Sequence, residues 1–250
     1  NTNDSYLIKN FKKVNNFVKI NDDKIIKKSI IINNLKKKNI IKLTDEQIKC
    51  CKKIIKFLFD EKENMFGFYG YAGTGKTTTF VELLFYLINS GYISKVVFTA
   101  PTNKAVNVIK SKFKPYIKIL YELKFKEKLD KDFDIESIID KLYSIEIKIE
   151  FITIHKLLKF KTDYSLEGEL IFTRNITNKS LIYEYDVIVI DECSMISVNI
   201  VEDIIDILEK SKSKNVFSKI IFSGDPAQLP PVNEYNSIIF VKNQEEYNLE

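Results

Sequence analysis

"GFYGYAGTGKTTT", residues 67–79, carries four of the seven glycines in a chain of 250 residues. Within it Gly70, Gly75, Lys76 and Thr77 satisfy G-x-x-x-x-G-K-[ST], the spacing of a loop that wraps phosphate. The glycines have a physical reason. Such a loop turns its backbone N–H groups inward at a helix N-terminus, where side chains would obstruct both the turn and the approach of phosphate oxygens. In that geometry Gly70, Ala72, Gly73, Thr74, Gly75, Lys76, Thr77 and Thr78 line the phosphates. Lys76 meets the β and γ groups, and Thr77 offers a hydroxyl to Mg²⁺. At average residue frequencies the pattern arises by chance in roughly one chain of this length in a hundred.

The flanking sequence supplies the context this loop requires. "MFGFYG" before it reads as a short buried strand, and "KTTTFVELLFYLINSG" after it as a helix closed by Gly91. "KVVFTA" predicts a second strand, and "TNKAVNVIKSKF" a helix that stops before Pro115. Strand, loop, helix, strand, helix is the order of parallel βαβ construction, so the expected fold is α/β, a parallel sheet flanked by helices. Residues 115–150 are rich in lysine and isoleucine at helical spacing. "YDVIVIDE" (185–192) is a continuous apolar strand ending in two acids, "SVNIVEDIIDILEK" a helix and "SKIIFSGD" another buried strand. Upstream, "LTDEQ" sets Thr44 three residues before Gln47, the capping-box spacing, and predicts a helix from about Asp45. Residues 1–42, Asn/Lys-rich and without Gly or Pro, read as a helical extension to a main domain spanning 43–250.

Composition narrows the function classes. The hydrophobic content of 45% suits a globular domain. No run approaches the length of a membrane span and the N-terminus lacks the apolar core of a signal peptide, so the expectation is an intracellular protein with no membrane partner. Three cysteines and one histidine fit neither a disulfide framework nor a zinc site. Of 39 basic residues, giving a net charge of +5, only Arg174 is an arginine. Most of these lysines read as solvated helix faces; a lysine-rich surface also attracts nucleic-acid backbone without the bidentate base contacts that arginine favours.

Two further stretches carry chemistry. Asp191, at the end of "VIVID", is placed to hold Mg²⁺ and its water shell, and Glu192 beside it to polarise an attacking water. Four of the five prolines lie in "TAPTNKA" and "GDPAQLPPV". In the second a strand delivers Gly224, Asp225 and Gln228 to a rigid turn, where an amide can sense the γ-phosphate by hydrogen bonding.

The ordered series "LTDEQ", "GYAGTGKT", "TAPTNKAV", "TIHKLL", "VIVIDECSM" and "SGDPAQLPPV" resembles the Q motif and motifs I, Ia, Ib, II and III of superfamily 1 helicases. The forms "DECSM" and "TIHKLL" resemble the RecD-like and Dda-like branch, which moves 5′ to 3′ on single-stranded DNA. The resemblance spans Leu43 to Val232. It implies a P-loop NTPase with a RecA-like motor domain, using ATP and Mg²⁺. On it, Gln47 reads the adenine edge, a duty that competes with the capping box for the same side chain. Lys76 and Thr77 bind phosphate and Mg²⁺, Asp191 and Glu192 serve metal and water, and Gln228 couples the γ-phosphate to DNA grip. Pro101, Thr102, Asn103 and Lys104, with Thr153 and His155, contact the DNA backbone irrespective of its sequence. His155 has an equal claim as a structural hydrogen-bonder.

A β-hairpin is expected near 159–180, around Glu167 and Gly168. By the resemblance it is either the pin that splits a duplex, with Tyr164 or Phe172 against a base, or a surface decoration. The family's machinery pairs two RecA-like domains, the second supplying arginines. The sequence to Glu250 holds only the first, so the second is expected from the rest of a longer chain or from a partner protein. The expected function is an ATP-dependent 5′–3′ DNA helicase, present as its first motor domain and weakly active alone. The alternative is a non-catalytic, nucleotide-responsive nucleic-acid-binding or assembly subunit.

Overall fold

In the computed structural model, residues 43–60, 62–164, 170–174, 180–212 and 218–240 are described. The expected extension over 1–42 lies outside them. The phosphate-loop stretch forms the predicted unit of strand β1 (Met65–Tyr69), glycine loop and helix α2 (Lys76–Asn89). Before it comes α1 (Asp45–Leu58). After it come β2 (Lys95–Ala100), α3 (Asn103–Phe125), α4 (Ile135–Tyr143), β3 (Lys148–Thr153) and the short α5 (Ile154–Leu157). A hairpin of β4 (Phe160–Tyr164) and β5 (Leu170–Arg174) precedes β6 (Val187–Ile190), α6 (Val198–Lys212) and β7 (Lys219–Gly224).

The main sheet has five strands in the order β1-β7-β6-β2-β3, and every pairing in it is parallel. Both faces are buried, which is why its central strands are continuous apolar runs. Side chains alternate between two cores. Val96, Phe98, Val187, Val189 and Ile221 join the core packed by α1 to α4. Val97, Ile188, Ile190, Ile220 and Phe222 join the one packed by α6 and α5. Phe98 anchors the first core, wholly buried, with the rings of Phe113 at 4.8 Å and Phe151 at 5.2 Å. Burying a side chain of this size contributes about 1.5–3 kcal/mol.

Three local expectations change. Helix α3 does not stop before Pro115 but runs through it to Phe125, with Lys126 in the left-handed region closing it. Pro115 is exposed, so water can satisfy the carbonyl it leaves without a partner. Beyond it Tyr116, Ile117, Leu120 and Tyr121 are all buried, and their burial outweighs the proline's cost of about 3 kcal/mol. The helical reading of 115–150 also gives way at its end, where Lys148–Thr153 is a strand paired with β2. The alternation Ile145, Ile147, Ile149, Phe151 is the period-2 signal that fits it. Strand β1, read as buried, buries only Met65 and Phe68 because it lies at one end of the sheet.

The hairpin pairs antiparallel from Phe160 opposite Arg174 to Tyr164 opposite Leu170, as a separate two-stranded sheet. Its tip, residues 165–169, and the side chains of Tyr164 and Phe172 lie outside what is described. Among the described residues no helix is long and apolar enough to cross a membrane.

Candidate active site

Parallel strands point their C-terminal ends the same way, so every motif that follows a strand arrives at one edge of the sheet. At that edge the loops after β1, β7 and β6 are neighbours, and those after β2 and β3 continue the row. This is the edge where open α/β sheets bind ligands.

The phosphate loop leaves β1 with the Gly70 N–H donating to Gly224 O (3.2 Å), which fixes it to the end of β7. Gly73 and Gly75 both have left-handed backbones, φ +79° and +78°, a region that glycine occupies without strain. Gly75 is the N-cap of α2, so Lys76, Thr77 and Thr78 form that helix's first turn. The Thr74 N–H and hydroxyl both donate to Tyr71 O. Lys76 Nζ lies across the loop, donating to Gly70 O (2.6 Å) and Tyr71 O (3.0 Å). A cation held there by loop carbonyls is positioned to exchange them for phosphate oxygens. The Ala72 N–H, by contrast, donates to Asp225 Oδ2 at 2.6 Å.

Gln47 reaches the same loop from α1. Its Oε1 accepts the Thr44 N–H (3.0 Å), completing the capping box with Thr44 Oγ1. Its Nε2 packs against Gly75, close enough that a Cβ there would collide with it. The cap and the approach to the loop thus use opposite ends of one amide.

Asp191 follows β6 and is 8% exposed, its N–H donating to Thr99 O on β2 (2.8 Å). Thr77 Oγ1 donates to Asp191 Oδ2 at 3.4 Å. Burial pushes the Asp191 carboxyl up from its ordinary range, while hydrogen bonds and the Lys112 charge pull against it. A carboxylate and a hydroxyl, both hard oxygen donors, suit Mg²⁺ completed by phosphate and water. Among the described residues no group of three or more His, Cys, Asp or Glu is placed to hold a metal alone.

Glu192 has a left-handed backbone, φ +53°, strained for a residue with a Cβ and frequent where a side chain must be aimed. Burial, then the Asp191 and Asp225 carboxylates, push Glu192 up, while Lys76 and Lys112 pull against them. A carboxyl of raised affinity for protons suits a general base. Gln228 is exposed on the turn after β7, its N–H donating to Asp225 O (3.1 Å). Gly224 must be small, since a Cβ there would lie 2.6 Å from Cys193 Sγ.

Pro101, Thr102, Asn103 and Lys104 follow β2, and Thr153 and His155 follow β3, with Ala100 and Thr153 paired in register. Thr102, Asn103 and Lys104 are exposed. Both threonines also cap helices, Thr102 Oγ1 accepting the Ala105 N–H (3.2 Å) and Thr153 Oγ1 the Lys156 N–H (3.4 Å). His155 is half-buried with its ring edge-on to Phe160, and burial lowers its affinity for a proton.

Two contacts are not signalled by the sequence. Asp225, read there as part of the turn, bonds across 153 positions to the phosphate loop. Glu234 Oε1 accepts the Val198 N–H (3.0 Å) at the start of α6. A turn-forming "GDP" hints at Asp225, and nothing local announces Glu234.

A family model described as an AAA domain matches residues 57–234, a span that holds the phosphate loop, the Asp191–Glu192 pair and the Gln228 turn. The chain belongs to this AAA domain family. An uncharacterized protein of Acanthamoeba polyphaga mimivirus is 34% identical over 202 residues, covering 79% of this chain and 35% of that one. The RecBCD enzyme subunit RecD of Buchnera aphidicola subsp. Acyrthosiphon pisum is 32% identical over 206 residues, covering 76% and 29%. The chain thus spans about a third of the length of these relatives. Among solved structures, the UvsW helicase of bacteriophage T4 aligns with TM-score 0.49 and 15% identity, over 78% of this chain and 59% of that one. The likeness of the motifs to a RecD-like superfamily 1 motor domain agrees with the family match and with the RecD relative.

Proposed function

We propose that this AAA domain is the first motor domain of an ATP-dependent DNA helicase, coupling ATP hydrolysis to 5′–3′ movement on single-stranded DNA. One observation carries the reading: the phosphate loop, the Asp191–Glu192 pair and the Gln228 turn share a sheet edge with the exposed stretch after β2 and the half-buried Thr153 and His155 after β3. A nucleotide site and a strand-binding surface on adjacent strand ends make a chemical cycle felt by a polymer.

In this reading the amides around Gly73 to Thr77 cradle the phosphates and Lys76 turns from loop carbonyls to the β and γ oxygens. Thr77 and Asp191 would hold Mg²⁺, which when bound would supply charge neutralisation to the phosphates. Glu192 accepts a proton from the attacking water, and Gln228 reports whether the γ-phosphate is present. Gln47 contacts the adenine edge through Nε2. Pro101 to Lys104, Thr153 and His155 hold the DNA backbone through hydroxyl, amide and ammonium groups, which suits binding without sequence preference. The single arginine of the sequence, Arg174, lies on β5, paired opposite Phe160 at the start of β4. In this reading a transition-state arginine, worth 10³ to 10⁵ in rate in P-loop NTPases, comes from a second motor domain in a longer chain or a partner.

Lys76→Ala in the full-length protein tests this. In the variant, DNA-stimulated ATPase is expected to vanish while single-strand binding persists, and the wild type is expected to unwind duplexes with a 5′ tail in preference to those with a 3′ tail. Undiminished turnover in the variant refutes the site; 3′-tail preference refutes the direction.

A further inference from the structure

Asp225 is an acid beside a loop meant for anions. Its carboxylate is 4% exposed, and its charge opposes the binding of phosphate nearby. It remains ordered because both oxygens are satisfied. Oδ2 accepts the Ala72 N–H at 2.6 Å, and Oδ1 accepts the Ala227 N–H at 2.9 Å. The first bond is short, as charge-assisted bonds are. It joins the phosphate loop to the turn after β7, while the second, with the Gln228 N–H donated to Asp225 O, folds that turn. The Gly70 N–H to Gly224 O bond (3.2 Å) runs alongside. The loop after β1 and the segment that leads into the Gln228 turn are therefore tied by two hydrogen bonds, with Asp225 at their junction.

We infer that Asp225 is a positioning residue that sets Gln228 at a fixed distance from the phosphate loop, so that discrimination between a triphosphate and a diphosphate depends on it. The inference rests on the nucleotide reading of the site. It also assigns the Ala72 N–H to the protein's own framework: the amides that meet phosphate begin at Gly73. A sensor that works by hydrogen bonding tolerates little displacement, since a shift on the order of 1 Å breaks the contact. A carboxylate that pins the sensor's turn is worth its electrostatic opposition.

The test measures binding of ADP and of a non-hydrolysable ATP analogue, each with Mg²⁺, to the full-length protein by titration calorimetry. The variants are Asp225→Asn, Asp225→Ala, Gln228→Ala and Asp225→Asn with Gln228→Ala, and melting temperature is recorded for each. The asparagine is isosteric, so it keeps the test usable where alanine disturbs folding. Gln228→Ala and Asp225→Asn are each expected to reduce the preference for the triphosphate by about tenfold, equivalent to about 1.4 kcal/mol, and the double variant to reduce it no further. Retention of the wild-type preference in Asp225→Asn overturns the inference, as do losses that add in the double variant. An equal fall in affinity for both nucleotides with a lowered melting temperature marks a merely structural role and overturns it too. Wild-type protein that binds neither nucleotide removes the functional reading itself, and this inference with it.

Discussion

Alanine at Gly75 and at Gly73 gives a paired test of how the phosphate loop is held. Both residues sit at φ near +78°, where a Cβ costs roughly 1–2 kcal/mol. Their surroundings differ. A Cβ at Gly73 meets nothing within 4 Å, whereas one at Gly75 collides with Gln47 Nε2. That amide is the flexible end of a side chain and can swing away, but its Oε1 then leaves the Thr44 N–H at 3.0 Å. A lost hydrogen bond of this kind costs about 0.5–1.5 kcal/mol. At roughly 2–4 °C per kcal/mol for a domain of this size, Gly73→Ala is expected to lower the melting temperature by about 2–8 °C, and Gly75→Ala by about 1–6 °C more. Scanning fluorimetry without nucleotide reads both. In a Gln47→Ala background the two substitutions should become equal. Equal shifts in the wild-type background, or a gap that survives Gln47→Ala, would refute the contact between α1 and the loop.

Pro115→Ala restores an amide for the Ser111 carbonyl in the exposed middle of α3. The helix-interior penalty of about 3 kcal/mol, less about 0.4–1 kcal/mol of lost unfolded-state restriction, leaves about 2 kcal/mol of stabilisation; a lowered melting temperature contradicts it. Thr102→Ala removes the α3 cap and is expected to lower stability in urea titration by about 1 kcal/mol, while Thr102→Ser retains most of it. Burial holds His155 below its ordinary value of 6.5, so the unfolded chain binds a proton that the folded state resists as pH falls through 6.5. His155 therefore adds nothing to the pH dependence well above that value and lowers stability below it. His155→Gln should lose less stability than the wild type between pH 7.5 and 5.5, and equal losses would show that the imidazole titrates freely.

The strand–loop–helix unit around Lys76 was legible because its signals are local: glycines where φ is positive, an apolar run before them and a helix after. The Asp191–Glu192 pair was legible for a similar reason, four buried residues in a row ending in two acids. Pro115 misled because its local preference was weighed without the four buried side chains that follow it. Strand β3 was hidden inside a lysine- and isoleucine-rich stretch that satisfies both periods over short windows. The bonds that Asp225 and Glu234 make, and the packing of Gln47 on Gly75, were out of reach for a different cause. Each depends on where a distant loop arrives, and arrival is set by the order of strands in the sheet, which spacing along the chain does not encode.

The Asp191 N–H bond to Thr99 O, 2.8 Å long, leaves two peptide units between that bond and Pro101. No hinge, linker or helix intervenes on that route. Adjacent strands of one sheet thus tie the backbone of the first acid to the start of the stretch after β2.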